Sequence, residues 1–559
     1  MTQKLDSWKK SGEELLQTIE PKGIADESMR RTVEILLNLI EQLQTQLKEL
    51  STENQRLKDE NNRLKGEQGQ PDIKANKKEL AKNHSSEKER KTPKKHSKGC
   101  KNATIKIDRE EILEYPQDKL PVDAEFKGYE QVIVQDISLT TDNILFRKQK
   151  YYSASVGKTY LAELPNGYEG EFGPGIKALV ISLYYGSNMT QGKLLEFLED
   201  LGISISAGHL SNLLIKNHSN FETEKKEVYD SGLASSPWQH FDQTGARVGG
   251  VNYTTNVICN PIYTIYFTTP NKDRLTVIKG LQAGRELEFI LNQLTFSLLD
   301  NFHIPTKGQN TLKLFPQETV LSETQFLDLL NKYLPKLGSQ QRTRIMEAAA
   351  IAFYHQQTHC SVVQTLVCDD APQFKLITAD RALCWVHEGR HYKKLSPVVA
   401  CHQVILEQFL KDFWDYYREL LAYKDCPSAE AARELKSKFW QLFDTLSGYE
   451  LLDERKQLTV AKASELLRVL EHPELPLHNN PAELAARTMV QRRNISYGTQ
   501  TIEGTQAWDT FMSLVATTRQ LRISFFEYVR DRISQLGNIP SLGTIILEKS
   551  SLLPLGLSW

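Results

Sequence analysis

The sequence predicts an α/β protein whose mixed sheet carries α-helical insertions and follows a coiled coil and a short helical region. Three observations predict it. A heptad repeat runs through residues 31–65, three strand patterns fill residues 238–269, and short apolar strands near 364–387 then alternate with helical patterns. That alternation suits a sheet with helices packed on its faces. At 559 residues the chain exceeds one compact core, so several units are expected.

The first unit, 1–65, is set by the repeat. Leu36, Leu43, Leu50, Leu57 and Leu64 recur every seven residues, with Val33, Ile40, Leu47, Asn54 and Asn61 in the other seam position. Leu at one seam position, with β-branched residues and Asn at the other, favours a parallel two-stranded coiled coil and hence a homodimer. The competing reading is a long amphipathic helix folded onto its own domain. Residues 66–106 read as a basic flexible linker: from Lys74 to Lys106 there are twelve Lys or Arg against three acidic residues and no aromatic ring. Lys94 and Lys95 in this run are candidate phosphate contacts.

Residues 107–230 read as a small β-containing region followed by a helix-turn-helix-like region. Tyr129 to Val134 and Asn143 to Tyr152 are strand-like. Thr190 and Ser206 are placed to cap two short helices separated by Gly202. Two such helices resemble a DNA-reading hairpin, in which Asn212 and Lys216 are the candidate contacts. The second helix is poor in basic residues, so a plain helical hairpin is the other reading.

Residues 235–395 form the first part of the predicted core. Trp238 to Val248, Asn252 to Cys259 and Tyr263 to Thr269 read as strands, Arg274 to Leu299 as one Leu-rich helix, and Gln364 to Cys368 and Leu383 to His387 as further strands. Residues 300–358 read as a helical insert, 396–475 as an α-helical insertion, and 476–559 as the closing helices. In the insertion, Phe413, Trp414, Tyr416, Tyr417 and Trp440 read as core in preference to a base-stacking surface.

Whole-chain charge is −1, which excludes a uniformly basic nucleic-acid binder and leaves local patches for that work. No apolar run is long enough for a membrane span and the N-terminus lacks a secretory h-region, so a cytoplasmic protein is expected. The seven cysteines are scattered without a CxxC pair, which fits reduced thiols. Cys384 and His387 form half a zinc site by spacing, with Cys368 or His391 as the only evident company.

Three acids stand out. Asp242 lies mid-strand, where Asp is depleted. Asp369 closes a buried-type strand, although a turn residue is an equal reading, and Asp370 follows it. Glu483 lies in the first turn of a helix opened by Asn480 and Pro481, where a capping box with Asn480 explains it as well. Acids from separate elements can converge to hold paired divalent cations.

The ordered motifs resemble the insertion-sequence-sixty-six transposases. His240-Phe241-Asp242-Gln243-Thr244-Gly245 with Arg247-Val248 is similar to that family's first-Asp motif. Val367-Cys368-Asp369 followed by Leu383-Cys384-Trp385-Val386-His387 is similar to its second-Asp strand and C-W-x-H. Asn479-Asn480-Pro481-Ala482-Glu483 with Arg487 resembles its N-N-x-x-E-x-x-x-R signature, continued by Arg492-Arg493-Asn494. The resemblance implies an RNase H-like (retroviral-integrase-like) core and a DDE triad of Asp242, Asp369 and Glu483 binding two Mg2+ (or Mn2+). It also implies DNA cleavage and strand transfer at element ends, with accessory transposition proteins as further partners. Arg487, Arg492 and Arg493 become candidate DNA contacts. Departures are Gln243 in place of an acid, a long Asp242–Asp369 gap, and no paired-cysteine zinc motif after the zipper, so no zinc finger is expected. The runner-up readings are an RNase H-like branched-DNA nuclease and a non-catalytic dimeric DNA-binding regulator.

Overall fold

A 38-residue helix, α1 (Glu27–Leu64), is the first long element. The structure, a computed structural model, describes residues 16–64, 105–116, 119–121, 124–137, 139–168 and 170–552. Lys94, Lys95, Cys100 and nearly all of the basic linker lie outside the described residues.

Helix α1 uses one face on its own chain. Leu37 and Glu41 are each 2% exposed. Glu41 Oε1 accepts from the backbone N–H of Val398 and of Val399, both at 2.8 Å. Asn38 and Gln42 bond Gly448 O and Glu450 Oε2. The heptad residues Leu36, Leu43, Leu50 and Leu57 lie elsewhere on the helix and are 50–66% exposed.

Residues 105–149 contain no strand among the described positions. The strand expected at Tyr129–Val134 is absent, and Tyr129, Val132 and Val134 are exposed with no neighbouring strand to pair with. Among the described residues of this region, one small antiparallel hairpin forms, Lys150–Ser153 with Lys158–Leu161.

The two capped helices form as read: α2 (Gln191–Asp200) and α3 (Ala207–Ile215). Thr190 and Ser206 accept from Lys193 N and His209 N, satisfying end donors. Gly202 takes φ +75° in the turn between them, which a side chain would resist. Leu194, Leu198, Leu210 and Leu214 close the hairpin core with no exposed surface.

After α4 (Ser219–Ala234) come β1 (Trp238–Val248), β2 (Val251–Asn260) and β3 (Tyr263–Thr269). The stretch read as one long helix is broken into α5 (Arg274–Leu281) and α6 (Gln293–Asn301). Ala283 and Gly284 turn to positive φ between them, and Glu288–Phe289 pairs instead with Leu321–Ser322. Residues 306–333 are mostly helical, and α7 (Ser339–Gln356) leads into β4 (Thr365–Cys368) and β5 (Asp380–Leu383). The apolar run at Leu383–His387 is therefore mostly helical: α8 (Trp385–Lys393) begins right after β5.

The five strands lie in the order β3-β2-β1-β4-β5. Strand β2 is antiparallel to β1 and β3, while β4 runs parallel to β1 and β5 to β4. β-Branched and aromatic residues fill the central strands, as a half-buried pleated surface favours.

Beyond the sheet, α9 (Ala400–Asp425), α10 (Ala429–Phe443) and α11 (Glu450–Val460) bury Phe413, Tyr416 and Tyr417 around Trp385. Trp385 has no exposed surface and donates Nε1 to Leu466 O at 2.9 Å. Trp440, expected in the same core, is 40% exposed. The chain then returns to the sheet with α12 (Asn480–Ser496), α13 (Ile502–Leu521), α14 (Phe525–Ser534) and α15 (Leu542–Leu552). Helix α13 covers the edge strand: Thr517, Ser513 and Asp509, four residues apart, accept from the N–H groups of Thr264, Tyr266 and Thr268. Among the described residues no helix is long and apolar enough to cross a membrane.

Candidate active site

Strand register brings two of the three acids together. His240 pairs with Val367 across the parallel β1–β4 ladder. Two residues on from this rung are Asp242, within β1, and Asp369, the first residue past the end of β4, near enough for its charge to act on the Asp242 carboxyl. Neighbouring strands lie about 4.8 Å apart.

The third acid arrives on α12 by matching repeats. Asn479, 1% exposed, bonds His240 Nδ1 at 2.8 Å and donates Nδ2 to Phe241 O at 2.8 Å. From that rung the strand advances about 6.7 Å in two residues to Asp242. The helix advances about 6 Å in four residues to Glu483. The near-equal rises keep Glu483 beside Asp242. The helix is capped at Asn479, so Asn480 lies inside it as the first helical residue and the capping box expected between Asn480 and Glu483 does not form; Glu483 Oε2 instead accepts from Arg390 of α8.

The electrostatics agree. Burial above all, with Asp369 and Glu483 adding their charge, pushes the Asp242 carboxyl up to about 7, against the pull of the Gln243 N–H and of Lys272. Asp370 sits apart from this group. It pairs with Lys462 at 2.7 Å, Arg381 at 3.2 Å and Lys375 at 3.5 Å. Burial works against its charged form, but the Lys462 bond and these cations hold it below the usual carboxylate range.

Gln243, where the family has an acid, bonds Asn256 Oδ1 at 2.7 Å and accepts from Gln373 Nε2 at 2.8 Å. It ties β1 to the loop after Asp369 and adds no further negative charge.

Helix α8 brings His387 to the metal-centre position that the sequence suggested for it and adds Arg390, which sequence reading missed. Arg390 Nη2 donates to Glu483 Oε2 at 3.0 Å. His387 Nδ1 lies 3.5 Å from Glu483 Oε1. Burial holds the His387 imidazole below its ordinary range, although Glu483 pulls the other way. Arg390 follows His387 by three residues, a same-face spacing on a helix. Reading Leu383–His387 as a strand hid that signal.

Cys384, His387 and Glu483 place one ligand atom each within 4.8 Å of one another. The Cys384 thiol also accepts from Asn479 N at 3.2 Å at the start of α12, and burial pushes it up to about 12. Cys368 and His391 are not in this cluster.

The arginines separate. Arg487 is exposed one turn beyond Glu483. Arg493 is partly buried and donates to Gly245 O. Arg492, expected on DNA, is instead fully buried: it donates to Tyr184 O at 2.6 Å and stacks over the Tyr184 and Trp508 rings. A guanidinium with no exposed surface cannot meet a phosphate. Arg492→Ala is therefore expected to lower thermal stability by about 2–4 kcal/mol and leave the DNA affinity of folded protein unchanged. Arg487→Ala should show the reverse. Melting curves paired with end-binding titrations separate the two. Asn212 and Lys216 are exposed on and just after α3.

A model of the family described as "Transposase IS66 family" matches residues 345–507, a span holding Asp369, His387, Arg390 and Glu483 but not Asp242. An uncharacterized protein of Sinorhizobium fredii, y4jO, is 31% identical over 324 residues, covering 57% of this chain and 99% of that protein. With the ordered site motifs and these matches in hand, the chain belongs to the IS66 family of transposases.

Proposed function

We propose that the chain is a DDE transposase with an RNase H-like core, in which Asp242, Asp369 and Glu483 hold two Mg2+ (or Mn2+) ions for DNA cleavage and strand transfer. The observation that carries this reading is the convergence of three acids on the face of β1, β4 and α12, read from register and from the raised Asp242 carboxyl. The β3-β2-β1-β4-β5 order, with only β2 antiparallel, supports the RNase H-like assignment.

The residues suit divalent cations. Glu483 Oε1 is buried without a hydrogen-bond donor, and Asp242 is forced toward its neutral form by burial above all and then by the charge of Asp369 and Glu483, which a cation would offset. When bound, such ions supply the positive charge that activates a water or 3′-hydroxyl and stabilises the leaving oxygen. The chain's own share is placement: Asn479 fixes α12 against β1, and Gln243 with Gln373 fixes the Asp369 loop against Asp242. DNA is the partner. Arg487 and Arg493, with Asn212, Lys216, Lys94 and Lys95, are the proposed contacts. The exposed leucine stripe of α1 supports a homodimer through a coiled coil, which would hold two element ends in one complex. The reaction takes place in the cytoplasm, at the nucleoid.

The test is a cleavage and strand-transfer assay on DNA carrying the element's own ends. Both activities are expected with Mg2+, to vanish on chelation, and to return with Mn2+. Cleavage of branched DNA without strand transfer would instead mark a nuclease. End binding without metal-dependent cleavage would mark a regulator. Either result sinks the proposal.

A further inference from the structure

The contacts that α8 makes with Glu483 centre on Arg390. Arg390 Nη1 donates to His387 Nε2 at 3.2 Å, while Nη2 donates to Glu483 Oε2 at 3.0 Å. Because Nε2 accepts, the proton of the neutral imidazole sits on Nδ1, which faces Glu483 Oε1. Glu483 Oε2 is therefore held by a full positive charge, while Oε1 lies near His387 without a hydrogen-bond partner.

Held this way, Glu483 is well placed but poorly available. A guanidinium on Oε2 competes with a cation for that oxygen and repels any cation that approaches it. In a partly buried site such repulsion is only weakly screened. Arg390 itself is 28% exposed at its side chain, so it borders solvent. Its planar fork matches a phosphate as well as a carboxylate.

We propose that Arg390 is a positioning residue that couples cation loading to the arrival of DNA. Without DNA it keeps Glu483 oriented but out of the ligand set. When DNA enters, a backbone phosphate takes the guanidinium, and Glu483 is freed to join Asp242 and Asp369. The inference rests on the three-carboxylate reading above.

The test follows Mn2+ binding to the full chain by electron paramagnetic resonance, with and without uncut end DNA. Arg390→Gln is expected to bind Mn2+ about tenfold tighter than wild type without DNA. It is also expected to cleave at least about tenfold more slowly at saturating Mn2+. End DNA should tighten Mn2+ binding by wild type and barely change that of Arg390→Gln. A merely structural role would weaken cation binding and cleavage together. Equal or weaker Mn2+ binding by folded Arg390→Gln overturns the proposal. Should that variant unfold, Arg390→Lys decides: DNA-dependent tightening equal to wild type overturns the proposal, and reduced tightening supports it. If Mn2+ binding is indifferent to Asp242→Asn, the carboxylate site itself is wrong, and this inference falls with it.

Discussion

Asp242→Asn is expected to lose metal-dependent cleavage by at least about a thousandfold and, in chelator at pH 8, to melt above wild type. The two effects share one cause. Asp242 is half-buried on β1 beside Asp369 and Glu483, and its carboxyl is pushed up to about 7. An acid whose folded value is raised binds its proton more tightly in the native state than in the unfolded one. Stability linked to it is fully present below the unfolded value near 4 and is lost as pH rises through 7. At pH 8 the wild type carries that penalty and the Asn variant does not. The shift corresponds to about 4 kcal/mol at most, so a gain of about 2–4 kcal/mol is expected at pH 8 and almost none at pH 4. The Asn side chain keeps the acceptor for Gln243 N, so that bond survives. Melting curves at pH 4, 6 and 8 in chelator check this. A variant less stable than wild type at pH 8, or as stable at pH 8 as at pH 4 relative to it, would contradict the assignment. A site that is costly to keep charged until a cation enters is a common form of exchange between stability and activity.

Asn479→Ala is the second large effect, with the opposite sign for stability. Its side chain bridges His240 and the Phe241 carbonyl inside the protein. Burial pushes His240 down to about 3, so a neutral ring donates Nδ1–H to Asn479 Oδ1. Removing the amide strands a buried donor and leaves a cavity, a cost of about 2–4 kcal/mol. It also unpins α12 from β1 at the rung that sets Glu483 opposite Asp242. A displacement of about 1 Å in such a site can cost a hundredfold in rate. The expected result is a lower melting temperature and about a hundredfold slower cleavage, with end binding by folded protein intact. Wild-type cleavage by a folded Asn479→Ala would show that the rung does not set the site.

Much of the sheet was legible because its strands are short, β-branched or aromatic, and bounded by turn residues. Trp238–Val248 and Tyr263–Thr269 form as read. Leu383–His387 did not, since a short apolar run looks alike in a strand and in a buried helix start. The Arg274–Leu299 helix broke at Ala283, whose positive φ leaves no mark in residue type. Arg492 was misplaced although a signal existed: it continues the buried stripe Ala482, Ala486, Met489 at helical spacing. The candidate acids could be named one at a time, but not their meeting. That depends on register between β1, β4 and α12, which are far apart in sequence and are joined by Asn479 and the parallel ladder.

The cover over β3 has a consequence for assembly. An outer strand usually offers a row of free amides that another chain can extend into a larger sheet. Here alternate amides at Thr264, Tyr266 and Thr268 are consumed by one helix face at Thr517, Ser513 and Asp509. The strand repeat of about 6.7 Å and the helical repeat of about 6 Å stay in step over so few rungs. This flank of the molecule is therefore closed to strand addition. Copies of the protein crowded onto one stretch of DNA cannot polymerise through it, and any neighbour on that side must be recognised by side chains alone.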